Sequence, residues 1–300
     1  MTSPRSLHSF ARVAAAVALL ASALPASAWY HETTSGSPAG VCLWWSGRQV
    51  NYRINASAAA LASTGCTQAQ AEAAINAALT SWADATYVGS TTPCTDFHFA
   101  PDPAGSTTSS IAIGQPGVNL IVVRRGLCAP GQTPSGNNCW NPAYGTNTLG
   151  YTTLRFNANG EIMGADMELY ASDGAGHGFA FSCSGASSPD LQAVATHEAG
   201  HMLGLAHVCT PEWGNAFSSC PLPPEPRPVM APQVGAASFQ ALAPDDVRGV
   251  CAIYPKDATT LTCPAPDEHK GGGCQSGGGV GLVGLLGVLM AAVRRRRTAR

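Results

Sequence analysis

Residues 48–55 (RQVNYRIN) alternate polar and apolar positions with a period of two, the pattern of a half-buried strand. The period then changes. Thr67 and Gln70 stand in capping-box spacing, and Ala71, Ile75, Leu79 and Trp82 recur at helical intervals behind them, which predicts a helix over 67–84. Short apolar runs at Phe97–Phe99 and Val118–Val123 read as strands, and the Gly/Asn/Pro-rich stretch 126–147 reads as a long loop. Two further strands, Thr148–Phe156 and Ile162–Tyr170, are joined by the turn Asn157-Ala158-Asn159-Gly160. Asp190, behind Ser188-Pro189, starts a helix whose apolar stripe is Leu191, Ala195, Ala199 and Met202. A Pro-rich loop occupies 221–232, and Asp245 or Asp246 then opens a last helix ending near Tyr254-Pro255. Strand, helix, strands, helix, helix in that order make a mixed α/β (α+β) domain.

The two ends follow other patterns. Arg5 and Arg12 precede the apolar run Val13–Leu24, followed by Ala26-Ser27-Ala28. That is the order of a secretory leader cleaved after Ala28; as a membrane helix the run falls short of the roughly 20 residues a span requires. At the other end three glycines and Cys274 lead into the apolar stretch Val280–Val293 and then Arg294-Arg295-Arg296-Arg297. At about 1.5 Å per residue that stretch makes about 21 Å of helix, against a hydrocarbon core of roughly 30 Å. The arginines would keep this end in the cytoplasm and the folded part outside.

Charge and cysteine follow from these ends. The whole chain carries 16 basic and 18 acidic residues, for a formal charge of −2. All 18 acids lie in 29–273 but only nine of the bases do, so the folded part is acidic, which argues against nucleic acid as a partner. Eleven cysteines in an exported chain imply disulfides. Cys128/Cys139 and Cys209/Cys220 each bracket a short loop and are expected to pair locally; Cys42, Cys66, Cys94, Cys183, Cys251 and Cys263 stay undecided. None of the cysteines forms the C-x₂-C pair of a structural zinc site.

Residues 197–207 read His-Glu-Ala-Gly-His-Met-Leu-Gly-Leu-Ala-His. His197 and His201, four apart, leave the same side of a helix and can share one zinc ion. Glu198 beside them can reach a water on that ion. Gly204 permits the positive φ that ends the helix, and His207 can then return as the third ligand. Three imidazoles and a water make an open tetrahedral site suited to hydrolysis. His31, His98, His177 and His269 have no ligand partner at such a spacing and read as ordinary histidines.

On these residues the chain resembles the metzincin zinc peptidases, matching HExxHxxGxxH at every defined position. The resemblance implies a zincin domain over 41–256, with a mostly parallel twisted sheet, an active-site helix and a C-terminal helix. A segment at 29–40 precedes it and a linker at 257–273 follows. It implies a methionine turn at Val229-Met230-Ala231-Pro232, and Pro232 in place of a tyrosine ligand favours the matrixin branch. It further implies one catalytic Zn²⁺ on His197, His201 and His207, Glu198 as general base, and a polypeptide substrate. That substrate would lie along the edge strand from Thr148, Leu149, Gly150 and Tyr151, with Ala231–Val234, including Pro232, walling the pocket. Departures are Val208 after the third histidine, no visible cysteine-switch propeptide, and no recognisable acidic loops for structural calcium or a second zinc. Asp166, Glu168 and Asp173 read as a solvated strand face and loop rather than a Ca²⁺ site, Arg124-Arg125 as a solvated strand end, and Asp245-Asp246 as a helix cap ordering the base of the site. The end of the chain resembles the myxobacterial C-terminal sorting tail over 274–300, which makes Cys274 the candidate for processing and lipid attachment, with a permanent anchor as the alternative. The expected protein is an exported, monomeric zinc endopeptidase touching membrane only through this tail. The competing readings are a binding module on an inactive scaffold and a zinc hydrolase of a non-peptide bond.

Overall fold

A computed structural model describes residues 29–37, 39–187, 189–208, 227–232, 237–259 and 261. The expectations for the leader, most of the linker, the tail with Cys274, the Cys209/Cys220 pair and Val234 lie outside the described residues.

Strand β1 is Tyr30–His31, β2 Gln49–Asn55, β3 His98–Pro101, β4 Leu120–Arg125, β5 Gly150–Phe156, β6 Ile162–Ala171 and β7 Leu205–Ala206. Helix α1 spans Gln68–Ala83, α2 Leu191–Met202 and α3 Pro244–Ile253. Five strands form one sheet in the order β3-β2-β4-β6-β5. The first four are mutually parallel and β5 pairs antiparallel with β6 at the edge. Strand β1 pairs antiparallel with β7, Tyr30 opposite Ala206. This is the mostly parallel mixed sheet, with a motif-bearing helix and a C-terminal helix, that the resemblance implies.

Local chemistry fixes the helix starts. Thr67 accepts the N–H of Gln70 while the Gln70 side chain reaches back to the Thr67 N–H, a complete capping box. Helix α1 turns Ala71, Ala74, Ile75, Ala78, Leu79 and Trp82 inward, and the Trp82 indole N–H donates to the Thr196 carbonyl of α2 at 2.9 Å. Asp190 caps α2 by accepting the Ala193 N–H at 2.9 Å. Helix α2 is not one-sided as its predicted stripe implies: ten of its residues are buried, from Leu191 to Met202, because α1 covers one side and the sheet another. The last helix opens one residue earlier than expected, at Pro244, which suits the first helical position because its missing N–H has no acceptor to lose there. Ala243 is its N-cap, and Asp246 at the third position bonds back to the Ala243 N–H at 2.8 Å.

Disulfides join Cys128 to Cys139, as expected, and also Cys66 to Cys183 and Cys94 to Cys251; Cys42 is disulfide-bonded as well. The stretch 126–147 is more ordered than a plain loop, with short helical turns at Pro134–Asn137 and Pro142–Tyr144. Among the described residues no helix is long and apolar enough to cross a membrane.

Side chains alternate across the sheet, so its faces can be told apart. Thr152 and its cross-strand partner Met167 face α2; Tyr151 with Glu168, and Thr153 with Asp166, face the other way. The expectation of a solvated acidic face fails here. Asp166 and Glu168 are buried. Glu168 bonds Arg124 at 2.5 Å with both side chains 0% exposed, so Arg124 is no solvated strand end either. Arg124 also donates to the carbonyls of Ile111 at 2.8 Å and Pro134 at 2.9 Å. Asp166 pairs with Arg155 and accepts the N–H groups of Gly114 and Leu120, both at 2.9 Å. These ion pairs pin the long loops onto the outer face, where Trp140 stacks on Tyr170 and Tyr144 on Tyr151. Asp173 does lie in a loop, paired with the exposed His177.

Candidate metal centre

Helix α2 presents His197, Glu198 and His201, and the chain then reverses at Gly204. Its φ is +88°, and a Cβ there would lie 2.4 Å from the Leu43 carbonyl oxygen, so the position demands glycine twice over. The reversal brings His207 back. The three imidazoles form a cluster able to hold a metal ion. Their Nε2 atoms lie 3.0, 3.1 and 3.2 Å apart.

The fit to zinc can be tested from the other ring nitrogens. His197 Nδ1 lies 2.7 Å from the Val229 carbonyl and His201 Nδ1 2.8 Å from the Leu205 carbonyl. A carbonyl only accepts, so both Nδ1 atoms carry the proton and both Nε2 atoms present lone pairs. Lone pairs converging at 3 Å repel one another unless a cation draws them together. Tetrahedral zinc with Zn–N of about 2.0–2.1 Å would separate its nitrogens by roughly 3.3 Å, close to what is found. Burial and the neighbouring His201 hold His197 well below the ordinary imidazole range, and the same two causes bring His207 down to about 3. Neutral imidazoles are the metal-binding form. At His201 burial also opposes the charge, but Glu32 beside Nδ1, the Glu198 carboxylate and the Leu205 carbonyl outweigh it and raise the ring.

Met230 lies in the turn predicted for it and is 1% exposed. It packs against Gly200 in the middle of α2, where an added Cβ would come within 2.3 Å of the Met230 sulfur and 2.9 Å of the Trp82 ring. Glycine inside a helix costs about 1 kcal/mol against alanine, and here the close approach of Met230 requires it. The turn also braces the cluster. The Val229 carbonyl holds His197, and the Met230 carbonyl accepts the Val208 N–H at 2.9 Å, next to His207. Asp246 in turn accepts the N–H groups of Val229 at 2.8 Å and Met230 at 3.2 Å. Burial pushes the Asp246 carboxyl up to about 7, against those donors. Of the two acids of α3, Asp246 orders the base of the site, while Asp245 pairs with Arg248.

A cleft of about 790 Å³ lies over the cluster, lined by His197, Glu198, His201 and His207 and, across from them, by Thr148, Leu149, Gly150, Tyr151 and Pro232. Of the residues proposed from sequence for the cleft, Thr148, Leu149, Gly150, Tyr151 and Pro232 line it with the three histidines and Glu198, while Ala231 does not. Three participants were missed. Thr152 donates its hydroxyl to Glu198 Oε2 at 2.7 Å. Glu32 comes from the N-terminal segment to 3.5 Å from His201 Nδ1. Gly200 is a free position within HExxH. Thr152 had a usable signal, since it shares a strand face with Gly150; Glu32 had none, because β1 pairing with β7 places it. Burial raises the Glu198 carboxyl, partly offset by His201 and the Thr152 hydroxyl.

The arrangement, an HExxH-type pair of histidines with the adjacent glutamate and a distal third histidine at one cleft, supports a zinc-dependent hydrolase. Among known protein families no family model matches the chain, and no curated protein matches it significantly.

Proposed function

We propose that the chain is a matrixin-like zinc endopeptidase, exported and held at the cell surface through its C-terminal tail, with Cys274 as the point of processing. One observation carries the catalytic part: the metal cluster and Glu198 open into a cleft whose far wall is a sheet-edge strand. Among the described residues β5 pairs with β6 alone, so an extended polypeptide can add along its other edge through main-chain hydrogen bonds.

His197, His201 and His207 fit zinc, which when bound supplies Lewis acidity and a more acidic water. Glu198 takes the proton of the attacking water and passes it to the departing amine. Its burial, which raises the carboxyl, strengthens it as the base of the first half of that transfer. Thr148, Leu149, Gly150 and Tyr151 align the substrate and Pro232 closes the pocket beside the scissile bond.

Incubating the mature protein with unfolded polypeptides, with and without a chelator, tests this. Cleavage that stops on chelation and returns with zinc supports the reading; absence of cleavage rejects it. A zinc hydrolase of non-peptide bonds shares the cluster but makes no use of the free strand edge. Mass spectrometry of the exported protein should place its end near Cys274, and an intact Arg300 would reject processing.

A further inference from the structure

Glu198 is buried, yet its two carboxylate oxygens have different surroundings. Oε2 receives the Thr152 hydroxyl at 2.7 Å, while among the described residues no hydrogen bond reaches Oε1. The same hydroxyl oxygen lies 3.1 Å from the Glu198 main-chain carbonyl, so Thr152 sits between the head group and the backbone of one residue. Thr152 is itself rigidly placed. It is β-branched, hence stiff about χ1, and lies in β5 directly across from Met167, which is fully buried. Two residues earlier on the same strand face, Gly150 has no side chain, and a Cβ there would lie 2.7 Å from Oε1. One residue of the strand holds an oxygen, and another leaves room for its twin.

We propose that Thr152 is the positioning residue of the general base, fixing Oε2 so that Oε1 is the atom presented to the water and to the leaving amine. The inference rests on the endopeptidase reading and adds a specific division of labour to it. An ionised carboxylate only accepts hydrogen bonds, so a hydroxyl donor at Oε2 is a charge-assisted contact that restrains the rotation of a long side chain. Proton transfer in turn needs its acceptor within about 3 Å of the water and correctly aimed. Because Thr152 belongs to the strand that would receive the substrate, one element sets the register of the scissile bond and the aim of the base.

The test compares Thr152→Val, which keeps shape and strand preference but removes the hydroxyl, with Thr152→Ser, which keeps the hydroxyl, and with Glu198→Gln. Steady-state cleavage of a peptide, bound zinc and crystal structures are measured for each. Thr152→Val should lower kcat by about 10- to 100-fold, as a base misplaced by about 1 Å would. KM should stay within about twofold and zinc content should not change. Thr152→Ser should restore kcat to within about fivefold. The parent crystal should show Glu198 in one orientation and the valine variant should show it displaced or split. Parent-like kcat in Thr152→Val beside an inactive Glu198→Gln would overturn the proposal, as would equal losses in the serine and valine variants or an unmoved Glu198. Parent-like activity of Glu198→Gln would instead overturn the endopeptidase reading.

Discussion

On the outer face of the sheet Arg124 and Glu168 are both fully buried and bonded to each other, and Arg124 also donates to the loop carbonyls of Ile111 and Pro134. On the inner face the Nε2 atoms of three imidazoles converge and a buried glutamate lines the cleft beside them. Both faces bury polar groups, which costs several kcal/mol per ion when unanswered. The outer face pairs its opposite charges with one another and so ties loops to the sheet. The inner face leaves a specific demand for a cation and for a proton donor, which is what a hydrolytic centre requires.

The sharpest break in this contrast is Glu198→Gln, which keeps the shape and removes the base. Peptide cleavage should fall by about 10³-fold while zinc content stays the same. On the other face Arg124→Met strands Glu168 without a partner and should cost about 3–5 kcal/mol in denaturant unfolding. The double change Arg124→Met/Glu168→Leu should recover most of that loss, because a face serving only structure tolerates an apolar replacement. Between the two, Asp246→Asn turns one acceptor into a donor facing the Val229 and Met230 N–H groups. It should cost about 1–3 kcal/mol and weaken zinc by about 10- to 100-fold, measured by competition with a chelating dye. The smallest effect concerns pH. In the metal-free protein His207 is brought down to about 3 from an ordinary 6.5, so between these values only the unfolded chain takes the proton. Stability from this group is full above pH 6.5 and declines as pH falls toward 3, so thermal melts of the chelated protein should drop over that range. The zinc-loaded protein should melt higher at neutral pH and fall at least as steeply, because bound zinc keeps all three imidazoles unprotonated.

Helix positions were legible in the sequence because capping residues are local. Thr67 and Asp190 cap the ends they were expected to cap. The motif was legible for a similar reason, since a four-residue helical spacing and one positive-φ glycine suffice to bring three histidines together. Burial of Arg124 and Glu168 was not legible. Their partnership depends on the lateral pairing of β4 with β6, and a charged residue in a strand reads as solvated until its partner is known. The start of α3 was misread because Asp246 caps from inside the helix, reaching back to Ala243. Gly200 carried no signal of its own, as its reason lies thirty residues downstream in Met230.

The pairing of β1 with β7 bears on the order in which the molecule assembles. Tyr30 and His31 are hydrogen-bonded to the two residues just past the Gly204 turn, and the Glu32 N–H donates to the Gly204 carbonyl. Contacts so distant along the chain carry a large loop-closure cost and form late. A chain emerging from its amino end must therefore hold this strand unpaired until the histidines have been made. By that timing the segment carrying Glu32 reaches His201 among the last contacts of the domain.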